Sequence, residues 1–147
     1  MSLGALTALV VIETIVLALL AVLVVSLLRS HAELLRRLVS LHGPVMFHQS
    51  GGCCDGSAPM CYPAGEFRTG MSDVHLGDLV VEGIEDVPVW MSGPQFEYWK
   101  HTHLTIDVVP GRGSGFSLEA PEGVRFLVRS RLFSDEESAE SNGPATR

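Results

Sequence analysis

The chain has 147 residues and a mass of 15.9 kDa, with a formal net charge of -7. Once an apolar N-terminal stretch is set aside, about a hundred residues remain, enough for one small hydrophobic core. From His42 onward there are fifteen Asp or Glu against seven Lys or Arg, and no basic aromatic groove, which excludes nucleic acid as the expected partner. Three cysteines, Cys53, Cys54 and Cys61, are too few for a disulfide scaffold and lie close together, so they point to local chemistry.

The run from Ala5 to Leu28 has 24 residues and one ionisable side chain, Glu13. As a helix it would be roughly 36 Å long, enough to cross a hydrocarbon core of about 30 Å with some tilt. It is expected to be a retained anchor. A cleavable signal would want a positive residue before the run and a small-x-small site after it, and a buried helix would want a polar face or a partner. A carboxyl group in such a span is costly when ionised, so Glu13 is expected near the headgroups, protonated, or against a neighbouring helix. Arg29, Arg36 and Arg37 follow the span and place the rest of the chain in the cytoplasm by charge bias, as a single-pass protein of the cell membrane. Leu34, Leu35, Leu38 and Leu41 recur at helical spacing beside these arginines, the pattern of a juxtamembrane amphipathic helix that meets lipid, the soluble domain or another copy. The expected partners are membrane lipid and either further copies of the chain or the other subunits of a membrane complex.

Gly43 and Pro44 end the helix, and residues 44–50 read as a first strand. Residues 51–66 hold four glycines and two prolines, a composition expected to form turns with no regular element. Residues 74–83 and 87–92 read as two strands joined by an acidic turn at Glu85 and Asp86, followed by a short helix from Gly93 with Phe96 and Trp99 on one face. Leu104, Ile106 and Val108 alternate with polar residues in the next strand. Residues 113–121 and 123–133 read as the last two strands, with Val124, Phe126 and Val128 sharing a side. Ser134 to Arg147 is acidic and without apolar anchors, the composition of a disordered tail. The expected organisation is a single transmembrane helix within residues 1–41, a small β-rich α+β domain over 42–133, and a tail over 134–147.

The chemistry-bearing candidates are Cys53, Cys54, Cys61, His48, His101 and His103, with Asp55 or Asp107 as possible oxygen donors. Thiolates and imidazoles suit zinc or iron, and glycines let backbone amides approach bound sulfurs. Two histidines one residue apart share a strand face. The spacing matches neither a CxxC redox pair nor a four-cysteine zinc site. Three readings therefore stay open: a metal or iron-sulfur site, thiol chemistry on an aldehyde or peroxide, and an interaction role as subunit or assembly factor of a membrane oxidoreductase. GRGSG at 111–115 lacks the Lys-Ser/Thr of a P-loop and reads as a turn. Ser50, Ser57 and Ser117 show no nucleophile elbow.

The stretches HGPVMFHQSGGCCDGSAPMCYPAGEFRTG and QFEYWKHTHLTIDVVPGRGSGFSLEAPEGVRFLVRSRLF resemble the uncharacterised bacterial domain family DUF 779 over nearly all of residues 42–133. That resemblance implies a domain boundary and no settled activity. Its members often accompany aldehyde dehydrogenase or alcohol-oxidation genes. The apolar N-terminal segment departs from that family's usual soluble form. More distantly, GGCCDG after a strand, VPVWMS, LTIDVV and GSGFSLEAP are similar in order to the HesB-like A-type iron-sulfur carrier domain. That resemblance puts Cys53 at a cluster-ligand position, while the family's later Cys-x-Cys pair has no counterpart here.

Overall fold

The structure is a computed structural model that describes residues 3–52, 57–113 and 115–141. The chain forms two compact units, residues 1–35 and 36–147.

Helix α1, Leu3–His42, begins in the first unit. It is rich in Leu, Val, Ile and Ala and has no Gly or Pro after Gly4, so no helix breaker interrupts it. Its most apolar window has a mean hydropathy of 3.0, and none of that window is buried by protein. The hydroxyls of Thr7 and Thr14 turn back onto the carbonyls of Gly4 (3.0 Å) and Val11 (2.9 Å), which satisfies both polar groups within the helix. Among the described residues this is one helix long and apolar enough to cross a membrane.

The second unit begins with the last turns of α1. Leu38 is buried there, Arg36 Nε donates to the Glu82 carbonyl at 2.9 Å, and Arg37 pairs with Glu122 at 3.3 Å. Gly43, at φ +79°, reverses the chain and its N–H closes onto the Val39 carbonyl at 2.8 Å, the expected helix stop.

A four-stranded mixed sheet follows, built from β1 (Val45–Gln49), β2 (Met60–Pro63), β3 (Val74–Leu79) and β4 (Val87–Met91) in the order β2-β1-β4-β3. β2 is antiparallel to β1, β4 is parallel to β1, and β3 is antiparallel to β4. β1 is buried along its whole length, as befits the VMFHQ run at the centre of the sheet. β2 corrects the reading of 51–66 as turns alone. Tyr62 and Cys61 lie across from Met46 and Phe47, so pairing with a buried neighbour sets a strand that local composition does not specify.

Helix α2 (Gly93–Trp99) carries Pro94 in its first turn and buries Trp99. It leads into a long antiparallel hairpin of β5 (Thr102–Pro110) and β6 (Val124–Leu132), paired without a break from Thr102↔Leu132 to Pro110↔Val124. The hairpin packs on the sheet through Phe126, whose ring meets Phe47 edge-on at 4.7 Å between centroids. Val45, Phe47, Cys61, Val87, Met91, Phe126 and Val128 form the core.

Two expectations are corrected here. Within the segment read as a strand over 113–121, residues 115–119 instead form turns that lead into a short 3-10 helix, Ala120–Glu122. Its alternation is the reverse of the usual one: Ser117 and Glu119 are buried and Phe116 is exposed. A polar network holds the polar pair inside, and Phe116 is left exposed. The acidic segment expected to be disordered forms helix α3 over Asp135–Ser141. Glu137 folds back to accept from the Ser134 N–H at 2.9 Å, and the Ser134 hydroxyl accepts from the Glu137 N–H at 3.3 Å, a capping box. Both carboxylate oxygens of Glu137 also take Arg131 at 2.7 Å. Residues 142–147 of that expected tail lie outside the described residues.

Candidate functional site

Side chains alternate along β1, so its central position presents chemistry to both faces of the sheet. His48 lies on one face with Met60 across from it, while Phe47 and Gln49 lie on the other with Cys61.

On the first face the His48 ring is buried against Phe67, 4.4 Å between centroids. Its Nε2 meets Asp73 Oδ2 at 2.9 Å and its Nδ1 meets Ser50 Oγ at 2.8 Å. Asp73 also accepts the Gly70 N–H at 2.7 Å, and that amide, helped by His48, holds its carboxyl below the usual aspartate range. The result is a Ser50–His48–Asp73 hydrogen-bond chain that ties the strand end to the 70–73 turn. Inspection of the serines in sequence finds no such arrangement, because Asp73 lies 25 residues beyond His48 and no spacing signature links them. Both ring nitrogens of His48 are engaged, so a metal at this imidazole would have to displace one of its partners.

Across the sheet Cys61 is fully buried. Its backbone N–H donates to Ser117 Oγ at 2.9 Å, and the Ser117 hydroxyl donates to Glu119 Oε2. Glu119, itself buried, also faces the Phe126 N–H at 3.5 Å. Burial, with the nearby Glu119 charge as a second cause, pushes the Cys61 thiol up to about 12. It is therefore neutral near pH 7, which makes it a weak nucleophile and a poor metal ligand. Glu119 and Ser117 are the residues that sequence reasoning passed over as a site, since a buried acid inside a turn-rich segment has no periodic signal.

Of the remaining candidates, His103 is exposed near the start of β5, directly across from Arg131, a neighbour that repels a cation. His101 precedes the strand, in the turn after α2, and its carbonyl accepts the Phe133 N–H at 3.1 Å. Asp107 is engaged by Arg129 Nε at 2.7 Å and by the Val108 N–H at 2.8 Å. Cys53, Cys54 and Asp55 lie outside the described residues. Among the described residues no three His, Cys, Asp or Glu side chains are grouped as a metal ion would require. The structure thus separates His48 and Cys61 onto opposite faces and leaves His101 and His103 at the base of the hairpin.

The end of β1 borders one further feature. Between the inner face of the sheet and the hairpin lies a cavity of about 240 Å³, walled by Val89 and Met91 of β4, Leu104 and Ile106 of β5, and Val128 of β6, with Gln49 at one side.

The fold is thus that of a small two-layer α+β domain, a mixed four-stranded sheet faced by a β-hairpin, that follows an apolar helix. The chain belongs to the DUF779 family, described as a domain of unknown function, whose profile matches residues 34–132. No curated protein and no solved structure matches the chain.

Proposed function

We propose that this protein is a membrane-tethered accessory protein, in which α1 is a retained single-pass anchor and the β domain is a binding module at the cytoplasmic surface. One observation carries the reading. The apolar window of α1 has a mean hydropathy of 3.0 and no part of it is covered by the protein's own residues, a surface that water tolerates badly and lipid tolerates well. A core helix would be covered by its own domain. The arginines after the span support the cytoplasmic side.

The chemistry assigned to the domain is binding of zinc, iron or an iron-sulfur cluster through the loop that leaves β1, with Cys53 and Cys54 as the thiolate donors. Support comes from two adjacent soft ligands on a Gly-Gly-Cys-Cys stretch and from the distant HesB-like resemblance, which puts Cys53 at a ligand position. Cys61 serves the core in this reading, because its neutral thiol would have to lose a proton in a buried site that already holds Glu119. A further donor could come from another copy of the chain or from a partner subunit, consistent with an accessory role.

Two measurements test the proposal. In membrane fractionation the full-length protein should stay with the bilayer after alkaline carbonate washing, and its release as an intact chain would refute the anchor. Anaerobic purification followed by metal analysis should find zinc or iron bound in proportion to protein and lost in Cys53→Ser. Metal content unchanged by that substitution would refute the loop site while leaving the anchor standing.

A further inference from the structure

The face of the sheet turned away from the hairpin carries a row of side chains in register across its four strands: Met60 of β2, His48 of β1, Trp90 of β4 and His75 of β3. Within that row His48 is 3 % exposed, and its two ring nitrogens join Asp73 at 2.9 Å and Ser50 at 2.8 Å. A carboxylate only accepts, so the proton of the neutral ring sits on Nε2, facing Asp73. Nδ1 is then the acceptor and takes the Ser50 O–H. The chain of bonds therefore runs from Ser50 through His48 to Asp73, the direction in which a hydroxyl loses its proton.

The hydroxyl and the groups behind it differ in their access to solvent. Ser50 is exposed, whereas the side chains of His48 and Asp73 are largely enclosed. The carboxylate is fixed from behind by the Gly70 N–H at 2.7 Å. The strand end is fixed by Ser92, whose N–H donates to the Gln49 carbonyl at 3.0 Å and whose hydroxyl donates to the Ser50 carbonyl at 3.3 Å. Gly51 and Gly52 follow, so the first two N–H groups after the hydroxyl carry no side chain to obstruct a carbonyl oxygen. An accessible nucleophile bonded to a base, and a base bonded to an orienting carboxylate, are the geometric requirements of nucleophilic acyl transfer.

We propose that Ser50 is the nucleophile, His48 the general base and Asp73 its positioning carboxylate in a site that hydrolyses uncharged esters and thioesters of small carboxylic acids. Ser50 Oγ bonds to the acyl carbon as its proton passes to His48 Nδ1. The bond from that carbon to the leaving group breaks, its electron pair goes to the leaving group, and the proton on Nδ1 follows. Water then attacks the acyl carbon and gives a proton to Nδ1, and the bond to Ser50 breaks with its electron pair and that proton returning to Oγ. Water is the sole co-reactant. Burial of the base selects the substrate. Its proton leaves only by way of Nδ1, beside Ser50, so an aryloxide or thiolate, which departs as an anion, is served better than an amine that must be protonated first. The Phe67 ring, 4.4 Å from His48 and stacked on Tyr62 at 4.6 Å, gives the site an apolar flank, and the Asp73 charge disfavours an acidic acyl group. The proposal goes beyond the accessory role and uses neither the cysteine loop nor the anchor.

Full-length protein in lipid nanodiscs, treated with an uncharged alkyl fluorophosphonate, should carry the adduct on Ser50 by peptide mass spectrometry, and should lose that reactivity in denaturant. Asp73→Asn should lower the limiting rate of labelling about 100-fold, within the usual range for general acid–base catalysis. The half-saturating probe concentration should stay unchanged, and Asp73→Glu should recover part of the rate, a pattern that a purely structural carboxylate would not produce. With 4-nitrophenyl acetate, acetyl should be found on Ser50, and Ser50→Ala should reduce nitrophenol release to the level set by the thiols. The matching amide, 4-nitroacetanilide, should be left intact. Absence of the adduct from Ser50 of the unaltered native protein, or equal labelling of native and denatured protein, would overturn the assignment without reliance on any variant. An Asp73→Asn protein labelled at the wild-type rate would overturn the role of the carboxylate, and cleavage of the amide as fast as the ester would overturn the substrate class.

Discussion

The buried carboxylate Glu119 offers the sharpest test of how the domain is held together. Replacing it with leucine keeps comparable bulk and removes both acceptors. The Ser117 hydroxyl then loses the oxygen to which it donates, and the Phe126 N–H loses its partner at 3.5 Å. Leaving a buried donor unsatisfied costs about 1–3 kcal/mol. The Phe126 contact is long and belongs at the low end, so the pair sums to about 2–4 kcal/mol. Set against a typical domain stability of about 5–15 kcal/mol, that is a large fraction. The effect should appear as a lower urea midpoint with an unchanged slope, followed by tryptophan fluorescence of Trp90 and Trp99 on the full-length protein in nanodiscs. Glu119→Gln, which retains one acceptor oxygen, should lose clearly less than Glu119→Leu. A leucine variant as stable as the wild type would show that the buried network contributes nothing and refute the reasoning, because apolar replacement is neutral only when no donor is left behind.

Three other expectations follow from the same structure. Phe47→Ala removes a fully buried ring in edge contact with Phe126 and should cost about 3–5 kcal/mol in the same urea experiment, more than any surface change. Cys61, with its thiol pushed up to about 12, should resist maleimide at pH 8 in a Cys53→Ser/Cys54→Ser background until denaturant is added; rapid labelling of the native protein would contradict its burial. Arg131, with the Ser134 amide, holds the Glu137 carboxyl down to about 2 against an ordinary 4.5. Because the folded value is the lower one, its contribution is fully present above about pH 4.5 and fades as pH falls toward 2. Backbone amide signals of Asp135–Ser138 should therefore lose helical shifts across that window, and Arg131→Gln, which leaves only the Ser134 contacts, should move the transition to higher pH.

Local sequence was enough to determine the elements whose signal lies within one stretch of chain. The Ala5–Leu28 run has the length and uniform apolarity of a spanning helix, and Gly43 supplies the left-handed conformation that ends α1. The alternation of Leu104, Ile106 and Val108 reads directly as β5, and Val124, Phe126 and Val128 read as the facing side of β6. In each case period and turn chemistry agree with the tertiary environment. The family too was legible from the motif text within 42–133, and its profile matches residues 34–132. Other features depend on distant partners. β2 is a strand because β1 lies beside it, and its proline and glycine neighbours argue locally for turns. Ser117 and Glu119 point inward because Cys61 and Phe126 offer backbone donors there, against the usual order of polar and apolar residues. The six ligand candidates are close in sequence or matched in spacing. Yet the alternation of β1 places His48 and Cys61 on opposite faces of one sheet, and the turn before β5 removes His101 from the strand that holds His103. Local sequence determines what each segment prefers. Which face a side chain occupies, and whether its hydrogen-bonding groups find partners, is decided only by the strands brought against it.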